Sequence, residues 1–119
     1  MKKKILVVEN DKDILDIISF ILTEEGYDPI LCATETGVIQ MIDQIMPDMI
    51  ILDIIKPTAL GTELCRAIKA SKTTGHIPVI VLSTHPGIGH VKEVCADEVL
   101  KKPFDVPVLL DVVKAQLAA

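Results

Sequence analysis

The sequence predicts an α/β fold, a doubly wound three-layer sandwich with a five-stranded parallel sheet at its centre. Short apolar runs alternate five times with segments of helical periodicity along the 119 residues, a pattern typical of right-handed parallel crossovers. The first and third runs are apolar on both faces, as strands between two helical layers are. Half of the residues are hydrophobic, enough for one core, and we expect one domain over residues 1–119.

The predicted strands share β-branched residues and end in polar ones; they are residues 4–8, 29–33, 49–53, 78–82 and 98–100. Pro29 near the start of the second run indicates an edge strand, because proline cannot donate to a neighbouring strand. The run 49–53 is the central one, and it ends in a carboxylate, Asp53. Parallel strands deliver their last residues to the edge of the sheet where α/β proteins bind ligands, so we expect Asp53 at a crevice.

The helices are predicted from apolar residues at helical spacing and from their end signals. Asn10 or Asp11 can cap the first helix, and Gly26 ends it. Thr34 or Thr36 is predicted to cap the second helix.

The second helix closes at Pro47. The third helix is marked by Leu60, Leu64 and Ile68, the fourth is a short one over residues 88–94, and the last begins at Asp105.

Charge and composition exclude several classes of protein. The net charge of −5 and the lack of a basic stripe argue against nucleic-acid binding. The apolar runs are too short to cross a bilayer, so we expect no membrane insertion and a cytoplasmic location. Cys32, Cys65 and Cys95 are odd in number and widely spaced, which favours free thiols in a reducing compartment.

The predicted carboxyl edge collects a group of polar residues from four strands. Glu9 and Asn10 follow the first strand, Asp53 ends the third, Ser83 follows the fourth and Lys102 follows the fifth. Each of these residues could also have an ordinary structural role, as a helix cap, a turn residue or a solvent-exposed lysine. Their joint placement at one edge favours a functional site over these separate roles. Carboxylates repel a phosphate unless a hard cation such as Mg²⁺ lies among them, so the group fits a site for Mg²⁺ and phosphate. Asp53 can then attack phosphorus, while the ammonium and the hydroxyl neutralise the phosphoryl oxygens.

The chain resembles, over its whole length, the receiver domains of two-component response regulators, in particular the single-domain chemotaxis regulators. The family pattern is matched by Glu9-Asn10, Asp53 with Pro57 and Gly61 behind it, Ser83, and Lys102-Pro103. The resemblance implies the flavodoxin-like strand order 2-1-3-4-5 and a cis peptide between Lys102 and Pro103, which aims the lysine at Asp53.

The resemblance also implies the chemistry of the site and its partners. Asp53 would accept a phosphoryl group from a histidine kinase or a histidine phosphotransfer protein, with Lys102 and Ser83 as the other catalytic residues. Mg²⁺ would be held by Glu9, Asn10, Asp53 and Ile55. The phosphorylated form would bind a downstream protein target, and any activity would be limited to self-phosphorylation and slow autodephosphorylation.

Three positions depart from the family pattern. Asn10 stands where a second acid is usual, so we predict weaker Mg²⁺ binding. Val99 stands where an aromatic side chain usually carries the signal, and Thr84 replaces a small residue. Because Val99 is short and stiff at χ1, we predict that the signal passes through residues 84–95 instead.

Three alternatives remain open at this stage. The first is a pseudo-receiver, a phosphorylation-independent interaction module, which Asn10 and Val99 favour. The second is a flavin or dinucleotide protein, but the chain lacks G-x-G-x-x-G. The third is a phosphatase with an Asp nucleophile, which needs a second acid where this chain has Ile55. We therefore do not expect a metabolic enzyme.

Overall fold

The computed structural model describes residues 2–118, and this part contains five strands and five helices. The strands are β1 (Lys4–Val8), β2 (Asp28–Cys32), β3 (Met49–Asp53), β4 (Val79–Ser83) and β5 (Glu98–Lys101). The helices are α1 (Lys12–Glu24), α2 (Val38–Ile45), α3 (Glu63–Ala70), α4 (Val91–Val94) and α5 (Val106–Ala118). Each strand end lies within one residue of its predicted position. Within residues 2–118, no helix has the length and apolar character needed to cross a bilayer.

All five strands are parallel and lie in the order β2-β1-β3-β4-β5. This order confirms the predicted flavodoxin-like fold and places β2 at an edge, where its Pro29 costs no hydrogen bond. β3 lies in the middle of the sheet, between β1 and β4. Its register pairs Leu52 with Val8 and Asp53 with Leu82, so Asp53 lies level with the ends of both neighbouring strands.

The core is aliphatic and forms one layer on each face of the sheet. One layer packs Ile50 and Leu52 of β3 against α2, α3 and α4. The other layer packs Met49 and Ile51 of the same strand against α1 and α5. The alternation of side chains along a strand thus explains why β3 had to be apolar on both faces.

The ends of the first two helices follow different physical signals. Asp11 caps α1, because its Oδ1 accepts hydrogen bonds from the N–H groups of Asp13 and Ile14 at 3.0 and 3.2 Å. Gly26 ends the helical segment with a positive φ of 86°, which glycine adopts without strain. The prediction that Thr34 or Thr36 caps α2 is wrong: the residue before α2 is Gly37, and no side chain caps it.

Two further predictions about helices need correction. Leu60 does not belong to α3, which begins only at Glu63; Leu60 lies in the preceding turn and its side chain is 81% exposed. The predicted fourth helix over residues 88–94 is split into a 3₁₀ turn, Ile88–His90, followed by the single turn of α4. Local spacing could not reveal either boundary, because both are set by how the segment packs on the sheet.

The prediction of three free thiols is wrong for two of the cysteines. Cys65 of α3 and Cys95 after α4 form a disulfide, with their Cα atoms 5.8 Å apart. Cys32 is free and buried at the end of β2. The sequence separation of 30 residues gave no local signal of this pairing, which exists because α3 and α4 lie over the same face of the sheet.

Candidate functional site

The candidate site lies at the carboxyl edge of the sheet, where the ends of β1, β3 and β5 meet. Glu9 follows β1 directly, Asp53 is the last residue of β3, and Lys102 follows β5. The peptide between Lys102 and Pro103 is cis, as predicted. The backbone N–H of Lys102 donates to the carbonyl oxygen of Ser83 at 2.9 Å, which ties the turn after β5 to the end of β4.

The three charged side chains form one buried ion cluster. The Nζ of Lys102 lies 2.9 Å from Oδ1 of Asp53 and 3.2 and 3.3 Å from the two carboxylate oxygens of Glu9. The side chains of Lys102, Asp53 and Glu9 are only 11%, 10% and 1% exposed. When both carboxyl groups are ionised, one ammonium faces two carboxylates, and the cluster carries one excess negative charge that water screens poorly.

The environment changes the proton affinities of two members of this cluster. Burial raises the pKa of Glu9, the negative charge of Asp53 raises it further, and Lys102 only partly offsets both. Burial alone would lower the pKa of Lys102, but the hydrogen bonds and charges of Asp53 and Glu9 outweigh it, so that this pKa is raised. Lys102 is therefore a firmly charged ammonium, as a group that neutralises phosphoryl oxygens must be.

The cluster opens into a solvent-accessible cleft. A cavity of about 430 Å³ and an adjoining one of about 410 Å³ share the residues Glu9, Asn10, Asp53 and Ile55. These four are the residues predicted to hold a metal. Lys102 lines the second cavity beside them, so the structure brings five of the six predicted site residues to one cleft.

Ser83, the sixth predicted residue, lies at the same edge but not in the lining of either cavity. Its side chain is fully buried, and its Oγ accepts a hydrogen bond from the N–H of His85 at 3.1 Å. The adjacent Thr84 is exposed and does line the cleft. The hydroxyl of Ser83 thus holds the start of the following loop, and its side chain has to turn to reach the cleft.

The donor atoms of the cleft fit a small hard cation. Glu9 and Asp53 offer carboxylate oxygens, Asn10 offers an amide oxygen, and Ile55 can offer only its backbone carbonyl. Mg²⁺ takes a few such oxygens and completes its octahedron with water and substrate phosphate. Within residues 2–118 no group of three acidic, His or Cys side chains is placed to hold a metal ion by itself.

Two features, one in the cleft and one beside it, were missed in the sequence. Glu35 lines the first cavity, and its pKa is raised by burial and by the charges of Asp53 and Glu63. The available signal was its position just after β2, at the same edge of the sheet. The second feature is Arg66 of α3, which donates from Nε to Thr62 and from Nη2 to the carbonyl oxygen of Ala59, and so braces the loop beside Asp53.

Comparison with known proteins agrees with this geometry. The family model of the response regulator receiver domain matches residues 5–114. A putative response regulator from Chloroflexus aurantiacus J-10-fl has a TM-score of 0.88 and 27% identity, with all of both chains covered. The signal receiver domain of a signal transduction histidine kinase from Syntrophus aciditrophicus has a TM-score of 0.86 and 29% identity, over 98% of this chain and 90% of that one.

A third structure is similar in fold alone. The receiver domain of a sensor histidine kinase from Pseudomonas aeruginosa PAO1, described with a magnesium ion coordinated in its active-site cleft, has a TM-score of 0.86 and 22% identity, with all of both chains covered.

A parallel sheet of order 2-1-3-4-5 with a carboxylate–lysine cluster at its carboxyl edge defines a flavodoxin-like protein of the receiver type. The chain belongs to the response regulator receiver domain family. It is thus a receiver domain of two-component signalling.

Proposed function

We propose that this receiver domain accepts a phosphoryl group on Asp53 from a histidine kinase or a histidine phosphotransfer protein. The observation that carries the proposal is the contact of 2.9 Å between Lys102 Nζ and Asp53 Oδ1 at the mouth of a cleft. A carboxylate that only stabilised the fold would have no need of an open cleft. Here the carboxylate is reachable by a phosphodonor, and the ammonium already stands beside it.

The proposed reaction is an in-line displacement at phosphorus. Lys102 binds Oδ1 of Asp53, which leaves Oδ2 to attack. The new O–P bond forms as the P–N bond to the donor's histidine breaks, and the imidazole nitrogen keeps the electron pair and takes up a proton. Lys102 neutralises negative charge on the phosphoryl oxygens in the loose transition state, and Ser83 reaches them once it releases His85.

Mg²⁺ is the proposed cofactor, held by Glu9, Asn10, Asp53 and the carbonyl of Ile55. When bound, it supplies positive charge that lets an anionic phosphodonor approach two carboxylates. The excess negative charge of the ion cluster supports this proposal. The structural neighbour described with magnesium in its cleft points in the same direction.

Phosphorylation would be tested by mass spectrometry of the intact chain after incubation with acetyl phosphate and Mg²⁺. We expect a gain of one phosphoryl group in the wild type and none in Asp53→Asn, which keeps the shape of the side chain but removes the nucleophile. Asp16→Asn, an exposed position on α1, is the matched control and should behave like the wild type. A full phosphoryl gain in Asp53→Asn would refute the assignment.

The signal is proposed to leave the site through residues 84–95. Only three of these residues are buried, namely Ile88, Val91 and Cys95, so apart from the disulfide at Cys95 the segment has few anchors against a shift. When Ser83 turns toward the phosphoryl group it releases the N–H of His85 and the start of this segment. The phosphorylated domain would then bind a downstream protein target through the altered surface, in the cytoplasm and without direct contact to nucleic acid.

A pseudo-receiver that signals without phosphorylation is the second candidate. Asn10 favours it, because an amide removes one of the charges that attract a dication. The burial of Ser83, outside the lining of either cavity, favours it too. The mass experiment separates the two functions, since a pseudo-receiver would show no phosphoryl gain in the wild type.

A further inference from the structure

The disulfide between Cys65 and Cys95 lies at the junction of α3 and α4, outside the phosphoryl site. Cys65 is in the first half of α3 and is fully buried, and Cys95 directly follows α4 and is 6% exposed. Both belong to the apolar layer that covers one face of the sheet. The bridge therefore joins two helices that are otherwise held together by packing.

The bridge fixes one end of the segment through which the signal is proposed to pass. Residues 84–95 begin next to Ser83 of β4 and end at Cys95. Between these ends only Ile88 and Val91 are buried, while Gly87 and Gly89 are exposed. With the bridge closed, Cys95 cannot move away from α3, and any shift of the loop must be absorbed before it reaches α4.

A second link at the same junction does not depend on the cysteines. Lys69 of α3 contacts Oδ2 of Asp97 at 2.6 Å and donates to the carbonyl oxygen of Ile77 at 2.8 Å. The same Oδ2 accepts the N–H of Val79 at 2.8 Å. Opening the bridge would therefore leave α3 attached to the start of β4 and β5, so that the fold survives in both redox states.

We propose that Cys65 and Cys95 are a reversible redox pair that reacts with low-molecular-weight thiols and disulfides and thereby gates the phosphoryl-driven shift of α4. Because both thiols are buried, local opening of the single-turn helix α4 first exposes Cys95. Its thiolate then attacks a sulfur of the small disulfide, a mixed disulfide forms and one small thiolate leaves. Cys65 then attacks the Cys95 sulfur and expels the second thiolate. Two protein S–H bonds are exchanged for one S–S bond, and both protons go to the released thiols. Reduction by a dithiol reverses these steps.

The gating rests on the proposed phosphoacceptor function. In a reducing cytoplasm the dithiol form predominates, and phosphorylation of Asp53 can then move residues 84–94 together with the end of α4. Under oxidising conditions the closed bridge holds Cys95 on α3, and the shift of the loop no longer reaches α4. The pair would thus stop transmission of the signal without touching Asp53, Lys102 or the cleft.

The test uses the full chain, oxidised with glutathione disulfide or reduced with dithiothreitol, with the state of the pair read from the mass after alkylation by N-ethylmaleimide. Hydrogen exchange over residues 84–94 is compared with and without beryllofluoride and Mg²⁺, a stable mimic of the phosphoryl group. In the reduced wild type we expect the mimic to change exchange across residues 84–94. In the oxidised chain the change in α4, residues 91–94, should be lost, while the loop before it still responds. Cys32→Ala keeps the pair and should behave like the wild type.

A variant without the bridge completes the experiment. Cys95→Ser should respond to the mimic under both conditions, and Cys65→Ala should do the same if the first variant folds poorly. An equal response of oxidised and reduced wild type would overturn the gating, as would alkylation of both cysteines after treatment with glutathione disulfide.

Failure of the phosphoacceptor function would be seen separately. No phosphoryl gain from acetyl phosphate in either redox state overturns that function and the gating of its signal. Hydrogen exchange of α4 without the mimic then tests the redox pair by itself. A difference between the oxidised and the reduced chain supports redox control of α4, and equal exchange overturns it.

Discussion

Removing the ammonium of Lys102 is the most direct test of how the ion cluster is built. In Lys102→Met, Glu9 and Asp53 would face each other at 1% and 10% exposure with no cation between them. Breaking a buried ion pair from one side typically costs about 3–5 kcal/mol. Because the cleft lets water reach Asp53, we expect the lower end, a loss of about 3 kcal/mol in the free energy of unfolding at neutral pH without metal.

The loss should depend on pH in a defined direction. Lys102 lowers the pKa of Glu9, which burial and Asp53 raise above its usual 4.5, so the variant raises that pKa further. A carboxyl whose pKa is raised by folding contributes stability that is fully present below the unfolded value and is lost as pH rises through the folded value. The free energy of unfolding that Lys102→Met loses relative to the wild type should therefore be small near pH 4.5 and grow toward neutral pH.

The assay is urea unfolding followed by circular dichroism, at several pH values and with equal m-values as the check for two-state behaviour. Lys101→Met is the matched control, since Lys101 is the exposed neighbour on β5, and it should change stability by less than about 0.5 kcal/mol. Saturating Mg²⁺ should reduce the difference in free energy of unfolding between Lys102→Met and the wild type, because the cation can take the place of the ammonium. A deficit independent of pH would refute this account of the cluster.

Two further predictions concern the metal and the loop beside Asp53. Asn10→Asp should bind Mg²⁺ at least about tenfold more tightly in a calorimetric titration, because the variant adds a unit charge at ligand distance. Asp11 already caps α1 with its Oδ1. Equal affinities of the two proteins would show that Asp11 nevertheless supplies the missing charge. Gly61→Ala should cost about 1–3 kcal/mol in urea unfolding, because a Cβ at this position would overlap the carbonyl oxygen of Lys56. Gly89→Ala is its control, since nothing lies within 4 Å of a Cβ there, and an equal loss in both variants would contradict the steric explanation.

The fold was predictable because its signals are local and redundant. Apolar runs such as the one before Asp53 are typical of strands in the middle of a parallel sheet, and five alternations with helices leave few topologies. The cap at Asp11 and the stop at Gly26 are chemical signals within one turn. Thr34 and Thr36 also matched the pattern of a helix cap, but the prediction was wrong. The chain enters α2 through Gly37, without any side-chain cap.

The grouping of these charged residues at one edge of the sheet was predictable, but the contacts among them were not. Because parallel strands share one carboxyl edge, residue order alone brought Glu9, Asp53 and Lys102 to the same place. The sequence could not show that Lys102 would bind both carboxylates at once. Nor could it show that the Oγ of Ser83 would accept a hydrogen bond from the N–H of His85. Such contacts depend on side-chain directions at the strand ends, which only the packed sheet fixes.

What the sequence by itself determined is therefore the order of the elements, the aliphatic core and the identity of the groups at the edge of the sheet. Only the tertiary structure decided the contacts between residues far apart in the chain: Lys102 with Glu9, Glu35 facing the cleft of Asp53, and Cys65 with Cys95. The physical reason is that periodicity and capping act over one or two turns, whereas these pairs meet through the crossovers that stack helices on a twisted sheet.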